Sequence, residues 1–298
     1  MASLKDIRSR ISSVKNTQQI TRAMKMVSAA KLRRAQHNIV NLRPYANRIL
    51  SLIGDIAATQ RVSHPLLEPI ESPKSVLVLV VTSDRGLCGG FNANINKFAY
   101  DFYRQNQGKY SKMDFLLVGK KAIEFFKKRQ VEPVDTMLNL AKDVSYPLAA
   151  KVADRCMTAF SQGDYEAVYL IYNQFKSAIS QEVICERLLP ISLEATNFAD
   201  EEKKSKEGPA FSKDLIFEPK PEEIIEELLN KHFAVQVYRC MSESVAAEHG
   251  ARMSAMENAT KNAGEMIDGL TLTYNKLRQA SITTELIEIT SGAEALKA

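Results

Sequence analysis

The sequence has few of the residues from which metal sites and disulfide frameworks are built. Its four cysteines, Cys88, Cys156, Cys185 and Cys240, lie at wide, irregular spacings and form no CxxC pair. Its four histidines are equally isolated, and we interpret them as solvated or packed side chains. These patterns argue against a disulfide scaffold and a zinc site, and they predict a reducing compartment and no cofactor.

Long apolar runs are also missing. No window approaches the roughly 18 consecutive apolar residues of a membrane-spanning helix. The first residues, MASLKDIRSR, have neither the apolar stretch of a signal peptide nor the serine-rich character of a transit peptide. With 45% hydrophobic residues, the chain is expected to form a globular core, to stay where it is synthesised, and not to insert into a membrane.

Acidic residues are scarce at the amino end. Residues 1–43 contain ten lysines or arginines and the single acid Asp6, a net charge of +9, whereas the whole chain carries +5. Residues 241–298 contain eight acids and five bases. A helix this cationic is expected to face a polyanionic surface, which could be nucleic acid, lipid headgroups or an acidic protein face.

The first sixty residues are predicted to form one long helix. Four apolar residues repeat at intervals of three and four, as in a heptad seam: Leu4, Ile7, Ile11 and Val14. We expect a stutter near residues 18–25, after which the apolar positions become Ile20, Met24 and Val27. Pro44 either kinks the helix or is absorbed by local adjustment.

The central segment, residues 72–195, changes its period. Short apolar runs such as SVLVLVV, DFLLVG, QVEPVD, EAVYLIYNQF and EVICERLLPI alternate with helical stretches. This alternation predicts a Rossmann-like α/β domain, with a mostly parallel sheet covered by helices. Within residues 196–220, the charged stretch NFADEEKKSKEGPAFSKD is rich in small residues and is predicted to be a mobile loop.

Residues 221–298 are predicted to form a second long helix. Small residues line its middle, at Ala247, Ala251, Ala255, Ala259 and Ala263, and larger apolar residues return at Met266, Leu270, Leu277 and Leu286. If this helix pairs with the first, the two must be antiparallel, and the longer carboxyl-terminal helix should extend beyond its partner. The predicted fold class is therefore an antiparallel two-helix coiled coil with a central α/β domain.

One short stretch, TSDRGLCGGFN at residues 82–92, follows the apolar run SVLVLVV. Glycine-rich turns between a strand and a helix can hold anions, so a phosphate cradle, a nucleophilic cysteine and a simple turn are all open. A Walker-type loop requires a lysine and then a serine or threonine after its glycines, whereas Phe91 and Asn92 stand there. The pattern therefore argues against a catalytic nucleotide site.

Three motifs resemble one known family over essentially the whole chain. They are KDIRSRISSVKNTQQITRAMKMVSAAKLRRAQ, TSDRGLCGGFN and YNKLRQASITTELIEITSGA, and they occur in the order found in the gamma subunit of F-type rotary ATP synthases. The resemblance implies a non-catalytic shaft that turns inside the ring of alternating alpha and beta subunits, with the α/β domain beside epsilon and on the c-ring. It implies coupling of proton flow to ATP synthesis, or the reverse, at the cytoplasmic face of a bacterial inner membrane.

The resemblance also implies positions for the functional contacts. Rotor–stator contacts fall on Met24, Lys25, Cys88, Arg252, Arg278, Gln279, Thr283 and Glu285. A basic shaft surface, expected to face acidic segments of the beta subunits, comprises Arg22, Lys31, Arg33 and Arg34. The end of the segment 196–220 aligns with the family's foot, so contacts with the c-ring and epsilon fall on Leu215, Phe217 and Glu218. The turn that contains Cys88 is expected to be exposed at the stator.

Other interpretations stay open on the residues alone. Met24 could be an ordinary seam residue, and Arg278 and Gln279 could be solvated helix positions. A basic helix on a coiled coil also describes nucleic-acid-binding zipper proteins, although those are parallel dimers and this chain supplies its own antiparallel partner. A nucleotide-dependent enzyme built on the α/β domain is the third candidate; we predict neither nucleic-acid binding nor tight ATP binding.

Overall fold

The computed structural model describes residues 3–60, 64–68, 70–138, 144–177, 180–191 and 220–295. Its helices are α1 Leu4–Gln60, α2 Phe91–Asn106, α3 Lys120–Lys127, α4 Tyr146–Ser161 and α5 Pro221–Ala295. Its strands are β1 Ser75–Val81, β2 Lys112–Val118, β3 Asp135–Met137, β4 Ala167–Phe175 and β5 Gln181–Leu189. The two predicted long helices and the intervening α/β segment are therefore confirmed, and α1 continues through Pro44 as one helix.

The chain divides into two compact units, each of which includes parts of both long helices. The helical unit consists of α1 up to Ser28 and α5 from Arg252 onward. The sheet unit runs from Ala29 to Ala251. The domain limits predicted at residues 60, 72, 195 and 220 stay a prediction, and the loop and foot segment lies almost entirely outside the described residues.

The sheet unit is built on five strands in the order β3-β2-β1-β4-β5. β1 pairs in parallel with both β2 and β4, β2 pairs in parallel with β3, and β5 runs antiparallel to β4 at the edge. The parallel strands require helical crossovers, which is why helices alternate with strands in the sequence. The predicted Rossmann-like, mostly parallel sheet is confirmed.

Both faces of the sheet are covered, which explains the uninterrupted apolar run of β1. Leu77, Leu79 and Val81 pack on one face with α4 and with segments of α1 and α5. Val76, Val78 and Val80 pack on the other face with α2 and α3. A strand buried on both sides has no solvent-facing positions, so it shows no alternation of polar and apolar residues.

The third strand begins later than the sequence indicates. The run QVEPVD, residues 130–135, was the expected strand, whereas β3 comprises Asp135–Met137. Pro133 lacks the N–H that a ladder requires. Hydrogen bonding with β2 begins at Val134, just before β3, where the N–H of Val134 donates to Phe115 O at 2.9 Å.

The expected stutter in α1 is wrong. Ile20 and Val27 are 60% and 58% exposed. The buried and half-buried positions instead continue the original heptad through polar residues, at Gln18, Thr21, Lys25 and Ser28. The stutter was predicted because apolar residues lie beside the seam at residues 18–25. The helix instead keeps its spacing of three and four and buries hydroxyl and amide groups at the seam positions.

The larger apolar residues of α5 are only partly where the pattern placed them. Leu270 and Leu277 are half-buried, whereas Met266 and Leu286 are 56% and 57% exposed. The half-buried positions continue at intervals of three and four only as far as Ser281. Among the described residues, no helix combines the length and apolar character that a membrane span requires.

Candidate functional site

The helical unit is an antiparallel helix pair with a polar centre. Gln18 Nε2 donates to Thr260 O at 3.4 Å, and the hydroxyl oxygens of Thr21 and Thr260 lie 2.8 Å apart. Lys25, one helical turn further along α1, pairs with Glu257, which precedes Thr260 on α5. Residue numbers therefore rise on one helix as they fall on the other, which confirms the antiparallel pairing predicted from the sequence.

Glycine allows the two helices of this unit to approach closely beside the polar centre. A Cβ added at Gly264 would lie 3.2 Å from Gln18 Nε2. Polar groups at seam positions stabilise a coiled coil less than apolar ones, but they specify its register. The hydrogen bonds of Gln18, Thr21 and Thr260 thus define which residues of α1 and α5 face each other.

Met24 and Lys25 occupy the edge of this seam. Both are half-buried, and Lys25 Nζ lies 2.6 Å from Glu257 Oε1, with the side chains 39% and 58% exposed. An ion pair this exposed contributes little to stability because water screens it. Arg252 differs from them, since it is buried with 8% of its surface exposed.

The four candidate contacts near the end of α5 are all exposed. They are Arg278, Gln279, Thr283 and Glu285. Thr283 Oγ1 donates to Gln279 O at 2.9 Å, and Ser281 Oγ donates to Glu285 Oε1 at 3.3 Å, so these contacts are local to the helix. The arrangement leaves the arginine and the amide side chain of this segment oriented outward from the helix pair.

The last described turns of α5 extend beyond the paired region. Extending the register of the pairs Thr21–Thr260 and Lys25–Glu257 places Leu4, the first residue of α1, opposite residues 277–278 of α5. Every residue from Ile282 to Ala293 is exposed, including Ile289 at 67%. The expectation that α5 outruns its partner is confirmed, and the extension presents apolar side chains that a folded monomer would otherwise bury.

The basic residues of α1 lie on its exposed side. Arg22, Lys31, Arg33 and Arg34 are all exposed. They alternate with the buried seam residues Leu32 and Ala35, which are 6% and 8% exposed. The heptad therefore separates the buried seam positions from a cationic surface of α1.

The turn between β1 and α2 is closed by a network of polar side chains. Ser83 Oγ donates to Arg85 O at 2.5 Å, and Ser83 N donates to Asn92 Oδ1 at 3.0 Å. Asn92 Nδ2 lies 2.8 Å from Ser83 Oγ and 3.2 Å from Cys88 Sγ. These polar groups are hydrogen-bonded to one another. The amide side chain of Asn92, at the start of α2, is therefore engaged within the turn.

The structure corrects the expectation of an exposed thiol at Cys88. Cys88 is 2% exposed, because its side chain turns inward against Ser83 and Asn92. The exposed side chain of the turn is its neighbour Leu87, with φ of 62° and 66% of its surface exposed. Any partner of this turn would therefore meet Leu87 and Arg85 before it met the thiol.

The sequence pattern alone did not identify the residues that meet across the helix pair: Gln18, Thr21, Glu257, Thr260 and Gly264. A signal was present, since counting by three and four from Leu4 leads to Gln18, Thr21 and Lys25. The expected c-ring and epsilon contacts Leu215, Phe217 and Glu218 lie outside the described residues.

The two long helices α1 and α5 each contribute to both units, and the Rossmann-like sheet lies between them in the sequence. This arrangement defines a class of coiled-coil proteins with an α/β domain inserted between the two helices. A family model described as ATP synthase matches residues 3–296. The chain is 62% identical over 297 residues to the ATP synthase gamma chain of Bdellovibrio bacteriovorus and 50% identical over 298 residues to that of Geobacter metallireducens. In both comparisons, 100% of each chain is covered.

Solved structures agree with this assignment. A chain of the Euglena gracilis mitochondrial ATP synthase, described as OSCP/F1/c-ring, matches with a TM-score of 0.67 and 25% identity, covering 98% of this chain and 94% of that one. A chain from the central stalk and c-ring of the Tetrahymena thermophila mitochondrial ATP synthase matches with a TM-score of 0.59 and 28% identity, covering 80% and 99%. The chain belongs to the ATP synthase gamma-chain family, the non-catalytic rotor subunits of the central stalk of F-type ATP synthases.

Proposed function

We propose that the chain is the shaft that couples proton flow through a membrane c-ring to ATP synthesis in a head of alternating alpha and beta subunits, and that it couples ATP hydrolysis to proton pumping in reverse. The observation that supports this most is the extension of α5 beyond its partner, with every residue from Ile282 to Ala293 exposed. An asymmetric helix inside a ring of equivalent sites touches each site differently. It can therefore favour different conformations in each of them.

We assign the rotor–stator contacts to three surfaces of this chain. The first is the edge of the polar centre at Met24 and Lys25; Arg252 is assigned to the same group of contacts, although its side chain is buried in the chain by itself. The second is the exposed group at Arg278, Gln279, Thr283 and Glu285. The third is the turn containing Cys88, where the exposed residues Arg85 and Leu87 make the contact.

The basic surface of α1 supplies an electrostatic bearing in this proposal. Arg22, Lys31, Arg33 and Arg34 are exposed, and no more than one acid offsets the ten bases of residues 1–43. Acidic segments of the beta subunits would be attracted to this surface at every angle of rotation, since charge attraction between solvated groups tolerates many geometries. The proposal also assigns contacts with the c-ring and epsilon to Leu215, Phe217 and Glu218, which lie outside the described residues.

The proposed location is the cytoplasmic face of a bacterial inner membrane, where the chain is held peripherally through the c-ring. The relatives from Bdellovibrio and Geobacter are bacterial gamma chains. Native purification through a tag on this chain should recover alpha, beta and epsilon in a three-to-three-to-one-to-one complex with it, as the family resemblance implies. Recovery of a lone monomer from gently lysed cells would contradict the proposal.

Charge reversal on α1 distinguishes a role of its basic surface in assembly and coupling from a role in the stability of the chain. Changing Arg33 and Arg34 to Glu should leave the stability of the isolated chain within about 0.5 kcal/mol, because exposed charges contribute little to it. Assembly with the catalytic head, or ATP-driven proton pumping by the complex, should fall. The matched control reverses the adjacent exposed pair Lys127 and Lys128 of the sheet unit; equal damage from that pair would show that total charge matters and not the α1 surface.

Two rival functions have direct tests. A nucleic-acid binder would retain duplex or single-strand binding at physiological salt, whereas a purely electrostatic contact loses affinity steeply as salt rises. A nucleotide enzyme would bind ATP on the isolated chain with a dissociation constant below about 10 μM, measurable by calorimetry. Either result would replace the shaft proposal.

A further inference from the structure

A largely buried ionic cluster, in which Glu186 is the most exposed member at 28%, joins α5 to the last two strands of the sheet unit. Arg239 of α5 pairs with Glu186 of β5, with 2.6 Å between Nη2 and Oε1, and with Glu243 one turn along α5, with 3.2 Å between Nη1 and Oε1. The side chains of Arg239 and Glu243 are only 13% and 14% exposed. Charged groups are rarely buried this deeply unless they are paired.

Hydrogen bonds extend the cluster to a second strand. Arg239 Nη1 donates to Tyr172 Oη of β4 at 3.3 Å, and Tyr172 donates to Glu186 Oε2 at 3.0 Å. Arg239 Nε donates to Gln236 Oε1 at 2.9 Å. All three guanidinium nitrogens thus have defined acceptors, on α5 itself and on both strands.

The environment disfavours the charged forms of Tyr172 and Glu243. Burial raises the pKa of Tyr172 far above its usual value. Burial also raises the pKa of Glu243, although Arg239 acts against it. Burying such groups is costly, and apolar residues of similar volume commonly stabilise a protein equally well or better.

Stability alone therefore does not account for the cluster. Much of the packing of α5 in the core on this face of the sheet is apolar, formed by residues such as Leu229, Phe233 and Val237. The hydrophobic effect is not directional, so apolar burial defines the angle and the axial position of a helix less sharply than hydrogen bonds do. A planar guanidinium bonded to carboxylate and hydroxyl groups on two strands allows only one angle and one axial position of the helix.

We propose that Arg239 is a positioning residue for torque transfer, which locks the rotation of α5 to the sheet through Glu186 and Tyr172. The inference rests on the proposed function as a rotor shaft. In a shaft, α5 must turn together with the sheet unit that surrounds its amino-terminal part. If the contact between α5 and the sheet were not fixed, α5 could rotate without an equal rotation of the sheet unit.

The test replaces the directional contacts with apolar ones and keeps the volume. The apolar variant carries Tyr172→Phe, Glu186→Met, Arg239→Met and Glu243→Met. It is compared with the parent in the complete ATP synthase, in inverted membrane vesicles, where ATP hydrolysis and ATP-driven acidification are measured together. A control variant removes a more exposed polar cluster of the sheet unit in which no α5 residue takes part, with Lys112→Met, Asp114→Met and Tyr165→Phe.

The variant should assemble and hydrolyse ATP, but it should lose about half or more of the protons pumped per ATP hydrolysed, because conformational steps that slip are not coupled. The control variant should pump like the parent. Parental coupling in the apolar variant would overturn the inference while leaving the shaft proposal intact. A parent complex that lacks ATP-driven pumping would instead contradict the shaft proposal itself.

A second variant covers the case in which the apolar variant does not fold. Arg239→Lys keeps the positive charge but loses the two-pronged geometry of the guanidinium. We expect thermal stability of the isolated chain close to that of the parent, with pumping per ATP between those of the parent and the apolar variant. Full coupling with lysine would show that charge alone is sufficient, and the positioning role would be wrong.

Discussion

His232 should make the sheet unit sensitive to mild acid. It lies on α5, is 0% exposed, and its Nε2 is 3.4 Å from Gln236 Nε2. Its Nδ1 has no hydrogen-bond partner within the described part of the chain. Burial, reinforced by the nearby positive charge of Arg239, lowers the pKa of His232 from 6.5 to about 4.

The sign and size of the effect follow from linkage. A folded-state pKa below the unfolded value means that the neutral ring contributes stability above pH 6.5, and that this contribution is lost as the pH falls toward 4. The full difference corresponds to about 3 kcal/mol at 1.4 kcal/mol per pH unit. At pH 5 the loss should already be about 2 kcal/mol, because the unfolded ring is nearly fully protonated there and the folded ring is not.

Urea unfolding at pH 7 and pH 5 measures this contribution. The variant His232→Gln keeps a hydrogen-bonding side chain near Gln236 but cannot take up a proton, so its free energy of unfolding should change less between the two pH values, by about 2 kcal/mol. His37→Gln, at an exposed position of α1, is the matched control and should follow the parent. Equal pH dependence in the parent and His232→Gln would refute the reasoning.

Three further predictions concern stability and reactivity. Gly119→Ala should destabilise the sheet unit by about 3 kcal/mol or more in urea unfolding, because φ is +98° and the new Cβ would lie 2.3 Å from Thr82 O. Thiol titration of the native chain near neutral pH should detect at most one slowly reacting cysteine, Cys185, whose pKa burial raises to about 12. A double-mutant cycle of Lys25→Gln with Glu257→Gln should give a coupling of about 0.5 kcal/mol or less, because the pair is solvated.

Each of these has a result that would contradict it. Gly163→Ala, at φ of +79° with open space around it, separates backbone strain from steric clash and should cost only about 1–2 kcal/mol; an equal cost at both glycines would remove the clash argument. Rapid labelling of Cys88 in the native chain would contradict its buried position. A coupling of several kcal/mol between Lys25 and Glu257 would mean that the pair is far less solvated than its exposure indicates.

The sequence was sufficient to predict elements in which burial is uniform. β1 was predicted over its full length, because burial on both faces requires an unbroken apolar run such as SVLVLVV. The antiparallel pairing of α1 and α5 followed from connectivity, since one helix enters the sheet unit and the other leaves it. Such inferences need only the period of the pattern and the order of the elements.

The sequence pattern did not predict the burial of polar residues that are hydrogen-bonded or ion-paired to each other. Thr21 and Thr260 satisfy each other's hydroxyl groups at 2.8 Å, and neither residue alone indicates a buried position. The same holds for Arg239, which pairs with Glu186 from 53 residues away. Only the fold brings such partners together, so a single-sequence pattern assigns them to the surface.

The sequence pattern also did not predict which side chain of the turn between β1 and α2 is exposed. Leu87 and Cys88 are neighbours, yet one is 66% exposed and the other 2%. The positive φ values at Leu87 and Gly89 rotate the backbone so that the thiol faces Asn92. The motif predicted the turn, while its backbone conformation decides which residue a partner can reach.

A reversible cross-link between this turn and the catalytic head tests the central claim most directly, because a rotor tied to its stator cannot turn. In the assembled complex, Leu87→Cys is combined with cysteines scanned through the acidic carboxyl-terminal domain of beta, where a disulfide requires Cα atoms about 5.5–6 Å apart. Oxidation should form the cross-link and abolish multi-site ATP turnover while nucleotide binding persists, and a dithiol reductant should restore turnover. The parent chain, with only the buried Cys88 at this turn, should not cross-link. Undiminished multi-site turnover in fully cross-linked complexes would contradict the claim that this chain rotates within the head.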